Sequence, residues 1–428
     1  MNVMSDGLAP TPPLPRKAGE GREGASQIDV AIVGGGMVGA SLALALSGSG
    51  VSVMLIEGVA PNSNAQPSFD ERTTALGNAS RRIFEGLGVW ARMACEAAAI
   101  RTIHVSDAGR FGFARLRAAE QGIDAFGYVV ANRVLGAALW DALTTKGEVL
   151  ARMPAKAESI DIASDSVRLT LVQQDGTREI AHARLVVAAD GAHSSVRTAA
   201  GIDASVEDYG QVAIVANVAA DRPHDGTAYE RFTPSGPVAV LPLHDGSFGV
   251  IWTATPERAT EILSLTDAVF LAALQDRFGW RAGRFVRAGR RASYPLQLTR
   301  SAEATATRTV LIGNAAQALH PVAGQGFNLG LRDAAMLAEL IAGAPGDVGA
   351  PELLKRFEAW RAQDRSGVIR FTDGLVKLFG NSRFGVGAVR DLGLLCFDLA
   401  PFAKSALARV SVGFAGPTPR LARGLALR

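Results

Sequence analysis

The feature that most constrains this chain is an apolar run, Asp29-Val-Ala-Ile-Val33, followed at once by Gly34-Gly-Gly-Met-Val-Gly39. The run reads as a buried parallel strand. Gly34, Gly36 and Gly39 then fit G-x-G-x-x-G. The first glycine allows a tight turn, the second lets backbone approach a pyrophosphate, and the third lets a helix pack closely on the strand. Ala40 to Gly48 predicts that helix, with its first amides toward the phosphates. Val51 to Ile56 predicts a second strand ending in Glu57, 18 residues past Gly39, where an acid accepts hydrogen bonds from an adenosine ribose. Gly34, Gly36, Met37, Val38, Gly39 and Glu57 are therefore expected to hold a dinucleotide. Alone, the loop does not separate FAD from NAD(P). Val30 to Ser47 is uncharged and nears the length of a short membrane span, but its glycines favour strand, turn and helix.

Two later clusters have the same character. Leu185-Val-Val-Ala-Ala-Asp190-Gly191 is a strand ending in Asp-Gly, followed by Ser194-Ser-Val-Arg197. Thr309-Val-Leu-Ile leads into Gly313-Asn314-Ala-Ala-Gln317-Ala-Leu-His320-Pro321-Val-Ala-Gly324-Gln325-Gly326-Phe-Asn328-Leu-Gly330. This predicts a third buried strand, a glycine-rich loop, and a helix starting near Asn328. Amides of the Gly-Gln-Gly stretch suit the negatively charged edge of a ring.

The bulk numbers narrow the class. At 428 residues, 48% hydrophobic and 20% charged, the chain can bury a large core in two or three domains or one composite enzyme. A net charge of +3 is too small to suggest nucleic acid. From Pro351 onward there are 13 Lys/Arg against 6 Asp/Glu, a local balance of +7, which suits an anionic membrane surface, an acidic partner or a solvated helical tail. Cys95 and Cys396 are far apart, which fits a reducing compartment rather than a disulfide scaffold. Six histidines show no ligand spacing, so no metal site is expected. Met1 to Gln27, rich in Pro, Gly and charge, reads as a disordered leader.

The three clusters together resemble the flavin-dependent aromatic hydroxylases, and within them the ubiquinone-biosynthesis, 2-polyprenyl-6-methoxyphenol hydroxylase branch. The resemblance also rests on Phe69-Asp-Glu-Arg72-Thr-Thr-Ala-Leu76, Glu230-Arg-Phe232, Leu241-Pro-Leu243 and Tyr294-Pro-Leu296, and spans roughly residues 28–380. It implies an α/β fold: a Rossmann-like, para-hydroxybenzoate-hydroxylase-like FAD-binding domain (28–205 and 295–345), an antiparallel-sheet substrate domain (206–294), and a helical C-terminal region (346–428). To the first loop it adds Arg72, Asp190, Gly191, Gly313, Asn314, Pro321, Gly324, Gln325, Gly326 and Asn328 as FAD-binding residues. The wider family has Asp at Asn314 and His at Gln317; both differences look like branch markers. Many relatives have Arg where Asn132 stands, beside Arg133.

The implied reaction is hydroxylation of a polyprenylated phenol in ubiquinone biosynthesis, with NAD(P)H as electron donor and O2 as co-substrate, through a flavin hydroperoxide. The cofactor carries that chemistry while the protein positions it and excludes water. Phe232, Leu241 and Tyr294 are the substrate candidates; His320, Pro321 and Tyr229 are the candidates for a direct catalytic part. A cytoplasmic enzyme is expected, peripheral on the inner face of the cell membrane or joined to a ubiquinone-biosynthesis complex through its C-terminal region. A hydroxylase of a soluble aromatic substrate and a non-catalytic flavin-bearing subunit are the alternatives.

Overall fold

The computed structural model describes residues 27–60, 72–109, 112–319, 324–344, 346–380 and 418–427, with backbone alone at 363 and 368–380. The expected leader up to residue 26, His320, Pro321 and the apolar stretch Leu392 to Ala408 lie outside these residues.

The predicted strand forms as β1 (Ile28–Val33) and is the centre of the first sheet. Parallel neighbours flank it: β2 (Val53–Ile56) through Val30↔Val53, and β11 (Arg178–Ala188) through Val33↔Ala188. Beyond them lie β8 (Leu150–Arg152) and β18 (Thr309–Leu311), then β17 (Thr305–Ala306). Two antiparallel strands, β9 (Ala155–Ile162) and β10 (Val167–Gln173), extend from the first half of β11. Because β1, β2, β11 and β18 run parallel, their carboxyl ends open on one edge of the sheet, where ligands of such sheets bind.

Helices α1 (Met37–Leu46), α4 (Asn132–Lys146) and α8 (Gln325–Ala342) share one core with this sheet. Leu42, Leu44 and Leu46 of α1 are fully buried, each worth about 1.5–3 kcal/mol. That helix is buried on most sides, which explains its near-continuous apolar sequence. The other face of the sheet packs a second core around Met54, Ile56, Val186 and Val196, the last on the short helix α5 (Ser195–Ala199).

The second sheet has the order β19–β16–β12–β15–β14–β13–β5–β6. Its two longest strands, β12 (Ala204–Ala220) and β16 (Phe285–Ser301), pair antiparallel through Ala213↔Tyr294. The others are β15 (Phe248–Ala254), β14 (Val238–Pro242), β13 (Thr227–Phe232), β5 (Thr102–Asp107), β6 (Phe113–Arg117) and β19 (Gln317–Ala318). Helices α6 (Pro256–Ser264) and α7 (Asp267–Phe278) cover one face. The other face looks toward a small third sheet of β3 (Thr73–Gly77), β7 (Gly127–Ala131) and β4 (Ala98–Ile100). On that small sheet, α2 (Asn78–Gly86) follows β3, and α3 (Trp90–Met93) precedes β4.

Two features depart from the sequence reading. β5 and β6 join the second sheet from well before residue 206, through a parallel pairing of β5 with β13 (Thr227↔Thr102). Alternating apolar residues reveal a strand but not its partner. The late helix α8 starts at Gln325, before Asn328, so the Gly-Gln-Gly stretch is its first turn, with amides lacking intrahelical partners. Behind it, α9 (Pro351–Gly380) packs on α8 through Leu354 and Phe357. Residues 418–427 return to the first core, where Leu421 and Ala422 are buried. None of the described helices is long and apolar enough to cross a membrane.

Candidate active site

The three glycine-rich segments converge at the open edge of the parallel sheet. Gly34 ends β1 at φ 105°, and a Cβ there would strike the carbonyl of Ala189, next to Asp190. A Cβ on Gly39 would strike the carbonyl oxygen of Gly34. Space as well as conformation therefore demands glycine, and the first loop lies directly against the Asp190-Gly191 turn. The third segment closes on the same place. A Cβ at Gly313 would lie 3.2 Å from Val38, and one at Gly330 would lie 2.9 Å from the Cα of Gly313. Met37 and Val38 open the helix between them.

Polar groups at this junction suit a dinucleotide. Glu57 accepts from the Gly35 amide at 2.6 Å through Oε2 and from the Val59 amide at 2.9 Å through Oε1. Each carboxylate oxygen keeps a lone pair for a ribose hydroxyl. Asp190 Oδ2 accepts from the backbone and hydroxyl of Ser195 and from the Val196 amide, while its buried Oδ1 has no partner among the described residues. A buried acceptor left alone is costly, and a hydroxyl donor of a bound ligand would satisfy it. Asn314 is exposed at the mouth. With the N-terminus of α8 beside them, these residues fit FAD.

A second half of the site lies between β3 and the open face of the second sheet. Arg72 sits over the Tyr294 ring, 4.4 Å from its centroid, an attractive cation–π geometry. A Cβ at Gly249 of β15 would be 3.2 Å from Thr73 Oγ1, and one at Gly324 would be 3.2 Å from Ala75. The arrangement brings β3, the second sheet and the start of α8 together. Strand pairings place Ala228, Glu230 and Phe232 of β13, Leu241 of β14 and Tyr294 of β16 on this open face. Leu241 packs with Ala75, Phe126 and Leu243 in an apolar cluster.

Against known proteins, the family described as FAD binding domain matches residues 27–372. The chain belongs to the FAD binding domain family. It is 39% identical to "Ubiquinone hydroxylase UbiL" of Rhodospirillum rubrum, over 93% of both chains. It is 33% identical to the "3-demethoxyubiquinol 3-hydroxylase" of Escherichia coli, over 90% of this chain and 98% of that one. Among solved structures it is similar to p-nitrophenol 4-monooxygenase from Pseudomonas putida. That match has a TM-score of 0.75 at 22% identity, over 91% of this chain and 98% of the other, a likeness of fold.

In this FAD-binding protein, Tyr229 stands apart from the other candidates. It projects from the helix-covered face, edge-on to Phe278 with centroids 5.6 Å apart, and its hydroxyl donates to the Arg281 carbonyl at 3.3 Å. Successive residues of a strand face opposite ways, so its neighbour Glu230 takes the open face instead. Glu230 was noticed in the sequence only as part of a family element. Burial pushes its carboxyl up to about 7. A carboxyl tuned to that range can take and return a proton near neutral pH.

Asn328 has a different part from the one the motif suggested. Its Oδ1 accepts from the Gly77 amide and Ser80 Oγ; its Nδ2 donates to the carbonyls of Ala75 and Gly324. The side chain is fully used in tying β3 and α2 to the start of α8. Gln317 is likewise engaged by protein: Nε2 donates to Asp333 Oδ2 at 2.8 Å and Oε1 accepts from Arg365 Nε at 2.9 Å. Asn132 is buried, and its Oδ1 accepts from Thr74 Oγ1; Arg133 lies on the surface, 3.7 Å from Glu96.

Proposed function

We propose that this protein is an FAD-dependent monooxygenase that hydroxylates the aromatic ring of a polyprenylated phenol in ubiquinone biosynthesis, using NAD(P)H and O2. The observation that carries the reading is identity along almost the whole chain, 39% over 411 residues, with a protein named as a ubiquinone hydroxylase. Bound FAD supplies the redox chemistry by which electrons from NAD(P)H and one oxygen atom of O2 reach the ring, the other atom leaving as water.

The chain's own residues supply position, exclusion and a proton site. The loop from Gly34 to Gly39 and Glu57 hold the adenosine diphosphate half. Asp190 Oδ1 would accept from a hydroxyl of the bound cofactor. The N-terminus of α8, at Gln325 and Gly326, favours negative charge on the reacting ring system. Arg72 and Tyr294 flank that end. Phe232 and Leu241 give the substrate ring an apolar surface that keeps water away. Glu230 accepts the proton of the phenolic hydroxyl on a carboxylate oxygen, which makes the ring richer in electrons where oxygen is added. His320 and Pro321 remain candidates beside the ring on the sequence reading.

Deleting the gene and identifying the accumulated quinone precursor by mass spectrometry tests the reading. A prenylated phenol one hydroxyl short is the expected product. Normal ubiquinone with no precursor, in a strain without a second hydroxylase, overturns it. The same proposal includes a cytoplasmic location with peripheral contact to a membrane, because a prenylated substrate partitions into lipid.

A further inference from the structure

The segment from Arg277 to Arg300 contains seven arginines and no Asp or Glu. It comprises the end of α7, the turn after it and nearly all of β16. Arg284, Arg287 and Arg290 are exposed along its first half, and Arg222 comes alongside because a Cβ at Gly283 would lie 3.1 Å from its side chain. One acid, Asp221, approaches this group, 3.9 Å from Arg284. Arg222, Arg287 and Arg290 have no acidic partner among the described residues.

Charged side chains on an exposed sheet edge protect it from pairing with other chains, and arginine alone would serve that purpose. The large apolar residues among them serve another. Trp280 is 67% exposed and Val286 is 47% exposed. Aromatic and aliphatic side chains set among cations are the composition of surfaces that lie on anionic lipid, the rings entering the headgroup layer and the cations meeting phosphate. Position supports that partner. Arg287 pairs with Ala219 and Tyr294 with Ala213, so both project from the open face of the sheet. Six residues of β12 separate the two points, about 20 Å at strand spacing. One strand face thus runs from the basic patch to the substrate half of the site.

We propose that Arg222, Trp280, Arg284, Val286, Arg287 and Arg290 form a docking surface for a bilayer of anionic phospholipid. It deepens the reading that the substrate carries a prenyl tail, since the tail would remain near the bilayer while the ring reaches Tyr294.

The test is flotation of the FAD-loaded, full-length protein with vesicles of phosphatidylcholine alone or mixed with phosphatidylglycerol. Wild type is expected to float with the mixed vesicles, and less so at high salt. R287E/R290E should lower that binding at least about tenfold, given roughly fivefold per basic residue near such a surface, and W280A should lower it further. Flavin absorbance and melting temperature confirm that the variants are folded, and their turnover of a short, water-soluble phenol should match wild type. Failure of wild type to bind the mixed vesicles overturns the proposal, as does equal binding by R287E/R290E. Absence of phenol turnover by every form would instead count against the enzymatic reading, so the two can fail separately.

Discussion

Arg361 Nε donates to Asp333 Oδ1 at 2.6 Å between α9 and α8, and neither side chain reaches solvent. Arg361 also donates to Asp364 at 2.7 Å, and Asp364 in turn accepts from Arg332 at 2.9 Å. Asp333 accepts from Gln317, which accepts from Arg365. The late cofactor loop is thereby tied to α9 by buried charge. Replacing Arg361 with Met leaves Asp333 in the interior without a cationic partner and Asp364 with Arg332 alone. Such a change costs about 3–5 kcal/mol, to be read as a lower urea midpoint. Because Asp333, the acceptor that holds Gln317, is no longer fixed by Arg361, FAD affinity should fall by roughly tenfold, the equivalent of one charge-assisted hydrogen bond. A loss under about 1 kcal/mol would mean that solvent reaches the network.

Acid and base act on two carboxylates in opposite directions. Burial works against ionised Asp364, but Arg332 and Arg361 outweigh it and hold its pKa below the ordinary value. Its contribution to stability is present above the usual aspartate range and is lost as pH falls through the lowered value. Glu230 holds its proton up to about 7 in the folded chain. Its contribution is full below the usual glutamate range and is lost as pH rises through about 7. Stability of the wild type relative to Glu230→Gln should therefore fall by on the order of 2–3 kcal/mol between pH 4 and pH 8. Melting curves of both proteins across that range measure it; parallel curves would place Glu230 in water.

The two neighbours on β13 separate a face from a motif. Glu230→Gln should lower kcat/KM on a prenylated phenol by about 10²-fold, the low end for removing an acid–base group, and remove an inflection near pH 7 from the rate profile. Tyr229→Phe removes a hydroxyl bonded to a backbone carbonyl on the far face, so its kcat should stay within about twofold of wild type while stability falls by about 1 kcal/mol. The reverse pattern would show that the open face is not where the substrate lies.

Two variants test cofactor retention, one filling the space at Gly39 and one removing the acceptor at Asp190. Gly39→Ala sets a methyl against the Gly34 carbonyl; purified protein should contain little flavin by absorbance. Asp190→Ala removes the partnerless buried oxygen and three contacts to the start of α5. It should weaken FAD binding by at least about tenfold and cost about 1 kcal/mol of stability, the value of a helix cap. Titration of apoprotein with FAD distinguishes the two effects.

The nucleotide half of the site was legible because local rules write it locally. A strand, a glycine turn and a helix within about 30 residues leave few alternatives, and β1, α1 and β2 formed within two or three residues of their expected limits. The substrate half obeys no such local rule. Tyr229 and Glu230 differ by one position, and only the pairing partners of β13 decide which of them faces the site. The parallel union of β5 with β13 joins residues more than a hundred positions apart, and no alternation of residue types specifies it. In the sequence the charges of α9 count only toward a basic C-terminal balance, open to a membrane surface, an acidic partner or a solvated tail. Their partners sit on α8 and β19, so spacing along one helix could not show that they turn inward.

The four hydrogen bonds of Asn328 have a consequence for how the protein is made. Two of them reach Gly77 and Ala75 across 251 and 253 residues. At translation rates of about 5–20 residues per second, the first glycine loop waits roughly 15–60 s before Asn328 has been synthesised. During that interval β3 and α2 lack their partner on α8, and β1 lacks one flank until β11 arrives. The ties that join β3 and α2 to the start of α8 can therefore form only after most of the chain has been made.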